Sequence, residues 1–240
     1  MNGALTTFDS PKEPVLSILQ NVGSGKFQLP DFQRGWVWDD EHVRSLLASI
    51  SLSYPIGAVM MLQAGNDDVR FKPRVVEGVV LGGPVQPERF ILDGQQRLTS
   101  LFMALLSSQP VPTRDARGKA IRRWYYIDME QALDPDGDRE EAVIGLPEDR
   151  IIRNFRGEVL EDYSVANYEF SRGYFPLEHV FACAEWRKQY NKYWNYNGDK
   201  IEFFDRFETE IIKRFELNRP GFHRDSGYWE AASGSGCCSS

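Results

Sequence analysis

The chain has 240 residues, 42% of them hydrophobic and 13% aromatic, and a formal net charge of −7. This composition is typical of a packed globular protein and excludes a disordered one. The negative charge argues against a stand-alone nucleic-acid binder, because nonspecific affinity comes largely from neutralised phosphates. No apolar run reaches the roughly 18 residues of a membrane span, and no secretory signal is visible. We therefore expect a cytoplasmic protein without membrane contact.

The first part of the chain predicts two helices separated by an irregular segment. Residues 11–25 have apolar residues at helical spacing and end in a glycine pair. Residues 27–38, FQLPDFQRGWVW, predict a short extended piece and then a loop that carries Gln33 and Arg34. One of the two aspartates at 39–40 is expected to cap the second helix. The predicted buried side of this helix consists of Val43, Leu46, Leu47 and Ile50.

The middle of the chain predicts three strands followed by a helix. The strands are expected at residues 55–62, 75–81 and 90–92, with a turn at 66–68 between the first two. A helix is expected over residues 95–108, because its apolar residues recur at helical spacing. These residues are Leu98, Leu101, Phe102, Leu105 and Leu106.

A basic segment follows this helix, over residues 113–123. Its five cations are Arg114, Arg117, Lys119, Arg122 and Arg123. The segment is read as a solvated loop, and the alternative is a contact with nucleic-acid phosphates. Residues 124–128 predict a strand, residues 134–138 an acidic turn without the pattern of a calcium loop, and residues 183–195 and 199–216 helices.

The isolated histidines and cysteines show no motif. The three cysteines form no CxxC pair and the three histidines lie far apart. This pattern argues against a structural zinc site and fits a reducing compartment. His42 is expected to be structural or on the surface, and Cys183 to be a small buried apolar residue.

The segment from Phe90 to Leu101, FILDGQQRLTSL, is the strongest candidate for a binding site. It predicts a buried strand that turns at Asp93–Gly94 into a helix N-terminus, where free amides and the helix dipole favour an anion. Arg97 in the first helical turn adds a bidentate phosphate donor. The alternative is an ordinary Asp-Gly corner without function. Arg34 is a second candidate anion contact, or else a loop residue stacked on one of the neighbouring tryptophans.

Three segments together resemble a known family. They are residues 29–38 (LPDFQRGWVW), residues 54–57 (YPIG) and residues 91–101 (ILDGQQRLTSL). Their order and spacing are similar to those of the DUF262 family, the N-terminal domain of GmrSD-type, modification-dependent restriction systems. The resemblance is strong over residues 10–130 and weak beyond.

The resemblance implies an α+β fold related to ParB and sulfiredoxin. Helices flank a small mixed sheet in that fold, and a mainly helical C-terminal part follows here. We accordingly expect a nucleotide-binding core over residues 1–140, a mainly helical extension over 141–230 and a disordered tail over 231–240.

The resemblance also implies that the chain binds and hydrolyses a nucleoside triphosphate (GTP, CTP, UTP or ATP) with Mg²⁺. Arg34 and Arg97 would neutralise phosphate charge, while Gly94 would let the backbone approach. Asp93 would orient a water or hold Mg²⁺, and a glutamine would position the attacking water. The implied catalytic residues are Asp93, Gln95, Gln96 and Arg97, and the implied nucleotide-binding residues are Gln33, Arg34, Gly94 and Arg97.

In such systems the nucleotide controls a DNA-cutting module, often of the HNH type (DUF1524), that protects bacteria from phages with modified DNA. The chain shows no HNH pattern, so we expect a module without its own nuclease that acts on a partner nuclease domain or subunit. DNA is a further candidate partner, and homo-oligomerisation is left open. The competing hypotheses are a non-catalytic switch that binds nucleotide or DNA, and a DNA sensor acting through residues 113–123.

Overall fold

A computed structural model describes residues 13–65 and 71–217, together with the backbone of residues 222–224. The helices are α1 (Val15–Gly23), α2 (Asp40–Ser51), α3 (Gln95–Leu105), α4 (Met129–Leu133), α5 (Arg139–Ala142), α6 (Tyr168–Arg172), α7 (Cys183–Tyr193), α8 (Gly198–Phe207) and α9 (Lys213–Leu217). A 3₁₀ turn covers Leu177–His179, and a π-helical segment, Glu208–Ile212, joins α8 to α9.

The strands are β1 (Phe27–Pro30), β2 (Val59–Gln63), β3 (Pro73–Arg74), β4 (Arg89–Asp93), β5 (Val111–Arg114), β6 (Ala120–Asp128), β7 (Val143–Pro147), β8 (Ile151–Arg153), β9 (Val159–Asp162), β10 (Tyr174–Pro176) and β11 (Phe222–Arg224). The fold is therefore α+β, as predicted. The relation to ParB and sulfiredoxin stays a prediction.

The first sheet is small and mixed, and it positions the candidate site. Its strand order is β11-β2-β4-β1-β3. The central strand, β4, runs parallel to β1 and antiparallel to β2. Helix α3 begins two residues after β4 ends, so the expected strand–turn–helix is confirmed. The strand predicted over 55–62 begins only at Val59.

The strand predicted over residues 75–81 is wrong. Only Pro73–Arg74 pairs with β1, and the chain then turns at Gly78, whose φ is +86°. Val76 is buried in the core but Val80 is almost fully exposed, so the apolar run does not bury one continuous face. The side chain of Glu77 instead binds neighbouring loops. The turn predicted at residues 66–68 lies outside the described residues.

The basic segment over residues 113–123 is also different from the prediction, because it forms strands and not a loop. Strands β5 and β6 make an antiparallel hairpin, with Arg114 opposite Ala120 and Pro112 opposite Arg122. Burial alternates along β5, where Val111 and Thr113 are buried and their neighbours exposed. This alternation of buried and exposed residues is the pattern of a half-buried strand. The many cations of the segment made it resemble a solvated loop instead.

The second sheet is built around β6, which pairs with β5, β7 and β10. The expected domain boundary at residue 140 thus falls between β6 and β7, two strands that are hydrogen-bonded to each other. The predicted helices over 183–195 and 199–216 are confirmed as α7 and as the continuous run from α8 to α9. The aromatic residues that α7 and α8 bury form the C-terminal part of the core: Trp186, Tyr190, Phe204 and Phe207. The expected tail over 231–240 lies outside the described residues.

Helix α2 carries the predicted features. Asp39 caps it, since its carboxylate accepts a hydrogen bond from the backbone N–H of His42. The four apolar residues predicted to be buried all lie in the core. Helices α1, α2 and α3 share this core with the first sheet, and so the end of β4 and the start of α3 rest on a rigid support.

Candidate functional site

The turn between β4 and α3 presents an open helix N-terminus. Gly94 precedes the helix with a φ of +83°, and no side chain caps the amides of the first turn. A Cβ at Gly94 would lie 3.0 Å from Val59, so the glycine serves both the turn and the close approach of β2. Asp93 is exposed to 73%. This terminus has the free donors and the dipole that favour an anion.

A loop over residues 33–38, called the QR loop below, lies against this turn and is tied to it by side-chain amides. Gln33 Nε2 donates to the Leu92 carbonyl at 2.7 Å, at the end of β4. Gln95 is buried and its Nε2 donates to the Arg34 carbonyl. The two segments that resembled a family motif therefore form one unit.

Gln96 completes this connection with both ends of its amide. Its Nε2 donates to the Gly35 carbonyl at 3.1 Å, and its Oε1 accepts from the Val37 N–H at 3.0 Å. The indole of Trp36 donates to Ser100 Oγ at 2.9 Å, one turn further along α3. The glutamines thus connect the QR loop to α3 through several hydrogen bonds.

The QR loop and the turn enclose a cavity of 290 Å³. Its lining includes every nucleotide-site residue predicted from the sequence. The lining residues are Gln33, Arg34, Trp38, Leu92, Asp93, Gly94, Gln95, Gln96 and Arg97. The Arg34 side chain is exposed, and its guanidinium has no hydrogen-bond or ion-pair partner among the described residues. The cavity therefore has one cation available to a ligand.

Arg97 lines the same cavity but is held by the protein. Its guanidinium donates to the carbonyls of Ile56 and Ala58, the second at 2.9 Å, and lies 3.6 Å from Asp93 Oδ2. Between those carbonyls, Gly57 has a φ of +85°, and a Cβ there would collide with the Arg97 guanidinium. The segment from Tyr54 to Gly57 thus helps to hold the Arg97 guanidinium, so the motif at residues 54–57 and the motif at residues 91–101 are in contact.

Comparison with known proteins places this arrangement in a family. Residues 15–226 match the family model described as GmrSD restriction endonuclease, N-terminal domain. The chain belongs to this family. It is also similar to the uncharacterized protein MJ0686 of Methanocaldococcus jannaschii, with 26% identity over 186 residues. The matched part is 75% of this chain and 31% of that protein, so the chain spans just under a third of its relative's length.

The basic hairpin of this GmrSD N-terminal domain lies on another side of the QR loop. It lines a second cavity, of 710 Å³, together with residues 35–38. Arg114 donates to the Gly118 carbonyl at 2.9 Å, and Arg122 forms an ion pair with Glu148 at 3.3 Å. The side chains of Arg117 and Lys119 lie exposed at the hairpin turn, whereas Arg123 is partly buried behind it. Contact of these five cations with DNA stays a prediction.

Sequence reasoning missed Glu77, which organises the QR loop from outside the motifs. Its Oε1 accepts from the Trp36 N–H at 3.1 Å and from Arg74 NH1 at 2.8 Å, while its Oε2 is buried without a hydrogen-bond partner in the described part of the chain. Arg74 also donates to the carbonyls of Gln33 and Arg34, both at 3.2 Å. Glu77 stood in an apolar run, and no sequence pattern marked it.

The isolated residues have structural surroundings. His42 is exposed, and its Nδ1 lies 2.7 Å from Asp39 Oδ1. The N–H of His42 is also the main reason why the pKa of Asp39 is lowered. Burial raises the pKa of the Cys183 thiol, which is half-buried beside Glu208. Within the described ranges, no three His, Cys, Asp or Glu side chains are grouped as metal ligands, and no helix is long and apolar enough to cross a membrane.

Proposed function

We propose that this domain binds and hydrolyses a nucleoside triphosphate at the QR-loop cavity, as the regulatory domain of a modification-dependent restriction system that defends against phages. One observation carries the proposal. Arg34, exposed and without a partner among the described residues, meets the uncapped N-terminus of α3 in one cavity. A cation and free amides that converge on one space are the donors that phosphate groups require.

The residues around the cavity divide into two roles. Arg34 and the first-turn amides of α3 contact the phosphates, and Gly94 lets the backbone come close to them. The lining of the cavity is kept in place by Gln95, Gln96 and Arg97, because their polar groups already bind backbone carbonyls and amides. This assignment gives Arg97 a positioning role in place of the direct phosphate contact expected from its place in the helix.

Asp93 fits a magnesium ion that arrives with the nucleotide. It is the only carboxylate in the lining of the described cavity, and it is well exposed. Mg²⁺ at phosphate sites typically takes one or two carboxylates and fills its other positions with phosphate oxygens and water. Bound there, the ion would offset charge on the phosphates, and Asp93 would hold it or orient a water beside it.

Phosphate release tests the hydrolysis. We expect wild type with Mg²⁺ to release phosphate from at least one of GTP, CTP, UTP and ATP. Arg34→Ala should lose at least about tenfold in kcat/KM, because a charge-assisted contact to the phosphates disappears. The matched control is Arg117→Ala, which removes another exposed arginine, at the hairpin turn. The absence of turnover in wild type with all four nucleotides would contradict hydrolysis.

A second function, a nucleotide-binding switch without turnover, is favoured by one observation. Gln96 binds the QR loop through both ends of its amide and Gln95 binds it through Nε2, so the Gln96 amide is not left to orient a water in this arrangement. Such a domain would control a partner nuclease of the HNH type through binding alone. It predicts that nucleotide raises the melting temperature while no phosphate is released. Phosphate release above the rate of Arg34→Ala would exclude it.

A further inference from the structure

The second cavity lies directly beside the QR-loop cavity, and the two share a wall. Trp38 lines both of them, and the QR loop continues from Gln33 and Arg34 in the first to residues 35–38 in the second. None of residues 93–97 lines the larger cavity. Its other walls are Glu77, Glu148 and the β5–β6 hairpin. We call this larger cavity the hairpin cleft.

The sizes of the two cavities suit the two halves of a nucleotide. Small-molecule pockets usually measure about 300–1,000 Å³. The QR-loop cavity, at 290 Å³, falls just below this range and lacks a wide apolar surface, whereas the hairpin cleft has 710 Å³. A triphosphate group bound at Arg34 would therefore leave its base and sugar outside the first cavity, where Trp38 also lines the second.

The lining of the hairpin cleft has the chemistry of a base-binding site. Trp36 and Trp38 offer aromatic surface, and Val37 and Ile121 add apolar surface. Planar bases gain most of their affinity from such surfaces by stacking, largely without regard to sequence. At the rim, the register of the hairpin places Pro112, Arg114, Ala120 and Arg122 on one face.

Glu77 adds a carboxylate with one unpaired oxygen to the lining of the cleft. It lines the cleft, and its Oε2 has no hydrogen-bond partner among the described residues, although Oε1 has two donors. An unpaired carboxylate oxygen is costly when buried and gains from any added donor. Base N–H groups and ribose hydroxyls are such donors, whereas a phosphate group is repelled.

We propose that the hairpin cleft is the nucleoside subsite of this domain, which takes the base and ribose of the nucleotide whose phosphates lie at Arg34. The inference rests on the proposed function, since it assigns the second half of the same ligand. DNA is the other ligand that a basic hairpin could attract. The continuity of the two cavities through Trp38 favours the free nucleotide.

The test compares ligands with and without a nucleoside by isothermal titration calorimetry. The ligands are the β,γ-imido analogues of GTP and ATP, and inorganic tripolyphosphate. Wild type should bind at least one analogue about tenfold more tightly than tripolyphosphate, by the magnitude of base stacking. Ala120→Trp, which fills the cleft from its exposed rim, should bring the two affinities together and leave tripolyphosphate binding unchanged. Ala116→Trp makes the same change at the hairpin turn, outside the lining, and should keep the wild-type ratio.

Each outcome decides between the proposals. If the analogues keep their advantage in Ala120→Trp, or never have one in wild type, the nucleoside subsite is wrong while phosphate binding survives. If no phosphate compound binds wild type, the proposed function fails as well. If Ala120→Trp abolishes the binding of an oligonucleotide but not of the analogues, the cleft belongs to DNA and the inference is overturned.

Discussion

Arg34 and Arg97 line the same cavity, yet the structure gives them opposite surroundings. Arg34 is exposed on the QR loop and has no partner among the described residues, whereas Arg97 is exposed to only 23% and donates to two backbone carbonyls. The same side chain thus serves a ligand in one case and the fold in the other. The difference comes from the neighbouring backbone, because Gly57 lets the chain present two carbonyls to Arg97 and nothing comparable faces Arg34.

The largest effect is expected for Arg97→Ala. It removes two charge-assisted hydrogen bonds and leaves the Ile56 and Ala58 carbonyls without their donor. We expect the free energy of unfolding to fall by about 3 kcal/mol. Chemical denaturation measures this value. A loss below about 0.5 kcal/mol, combined with lost nucleotide binding, would instead return Arg97 to the direct phosphate contact and would remove the contrast with Arg34.

Gly57→Ala disturbs the same contact with Arg97 from the side of the backbone. We expect it to cost about 2 kcal/mol or more, because a positive φ and a collision with Arg97 act together. Gly65→Ala is the matched control, since Gly65 has a similar φ of +88° but no atom of the described residues within 4 Å of its Cβ position. It should cost only the backbone term, about 1 kcal/mol. Equal losses at the two glycines would show that Arg97 does not depend on this segment.

Arg34→Ala should separate function from stability. We expect a loss of at least about tenfold in nucleotide affinity, which equals about 1.4 kcal/mol, and a change in unfolding free energy within about 0.5 kcal/mol. Calorimetric titration and denaturation of one preparation give both values. Arg34→Lys keeps the charge but not the bidentate geometry, and should lie between wild type and Arg34→Ala. Unchanged affinity in Arg34→Ala would contradict its role.

The smallest effect on stability is expected for Asp39, which directly follows the QR loop and caps α2. Asp39→Ala should lower the unfolding free energy by about 1 kcal/mol at neutral pH. The pKa of Asp39 is lowered in the folded protein, so its contribution is present above its unfolded pKa of about 3.9 and fades as the pH falls through the folded value. The difference between wild type and Asp39→Ala should therefore shrink as the pH falls below about 3.9. A constant difference would show that the carboxylate charge plays no part.

Much of the fold could be predicted because local patterns and burial agree. The helices α1, α2 and α3 have apolar faces at helical spacing, and each of these faces lies in the core. The predictions for residues 75–81 and 113–123 were wrong where composition and burial disagree. The first segment is apolar but ends in a turn at Gly78, and the second is charged but alternates as a hairpin.

The candidate site shows the same division. The local sequence was enough to predict which polar residues gather at the strand–turn–helix, because Asp93–Gly94 lies after a buried strand and before an amphipathic helix. Their roles depend on the fold, because backbone carbonyls that are distant in sequence accept hydrogen bonds from some of these side chains and leave others free. Arg97 meets such carbonyls in the segment that precedes β2, Gln95 and Gln96 meet the QR loop, and Arg34 is left facing the cavity.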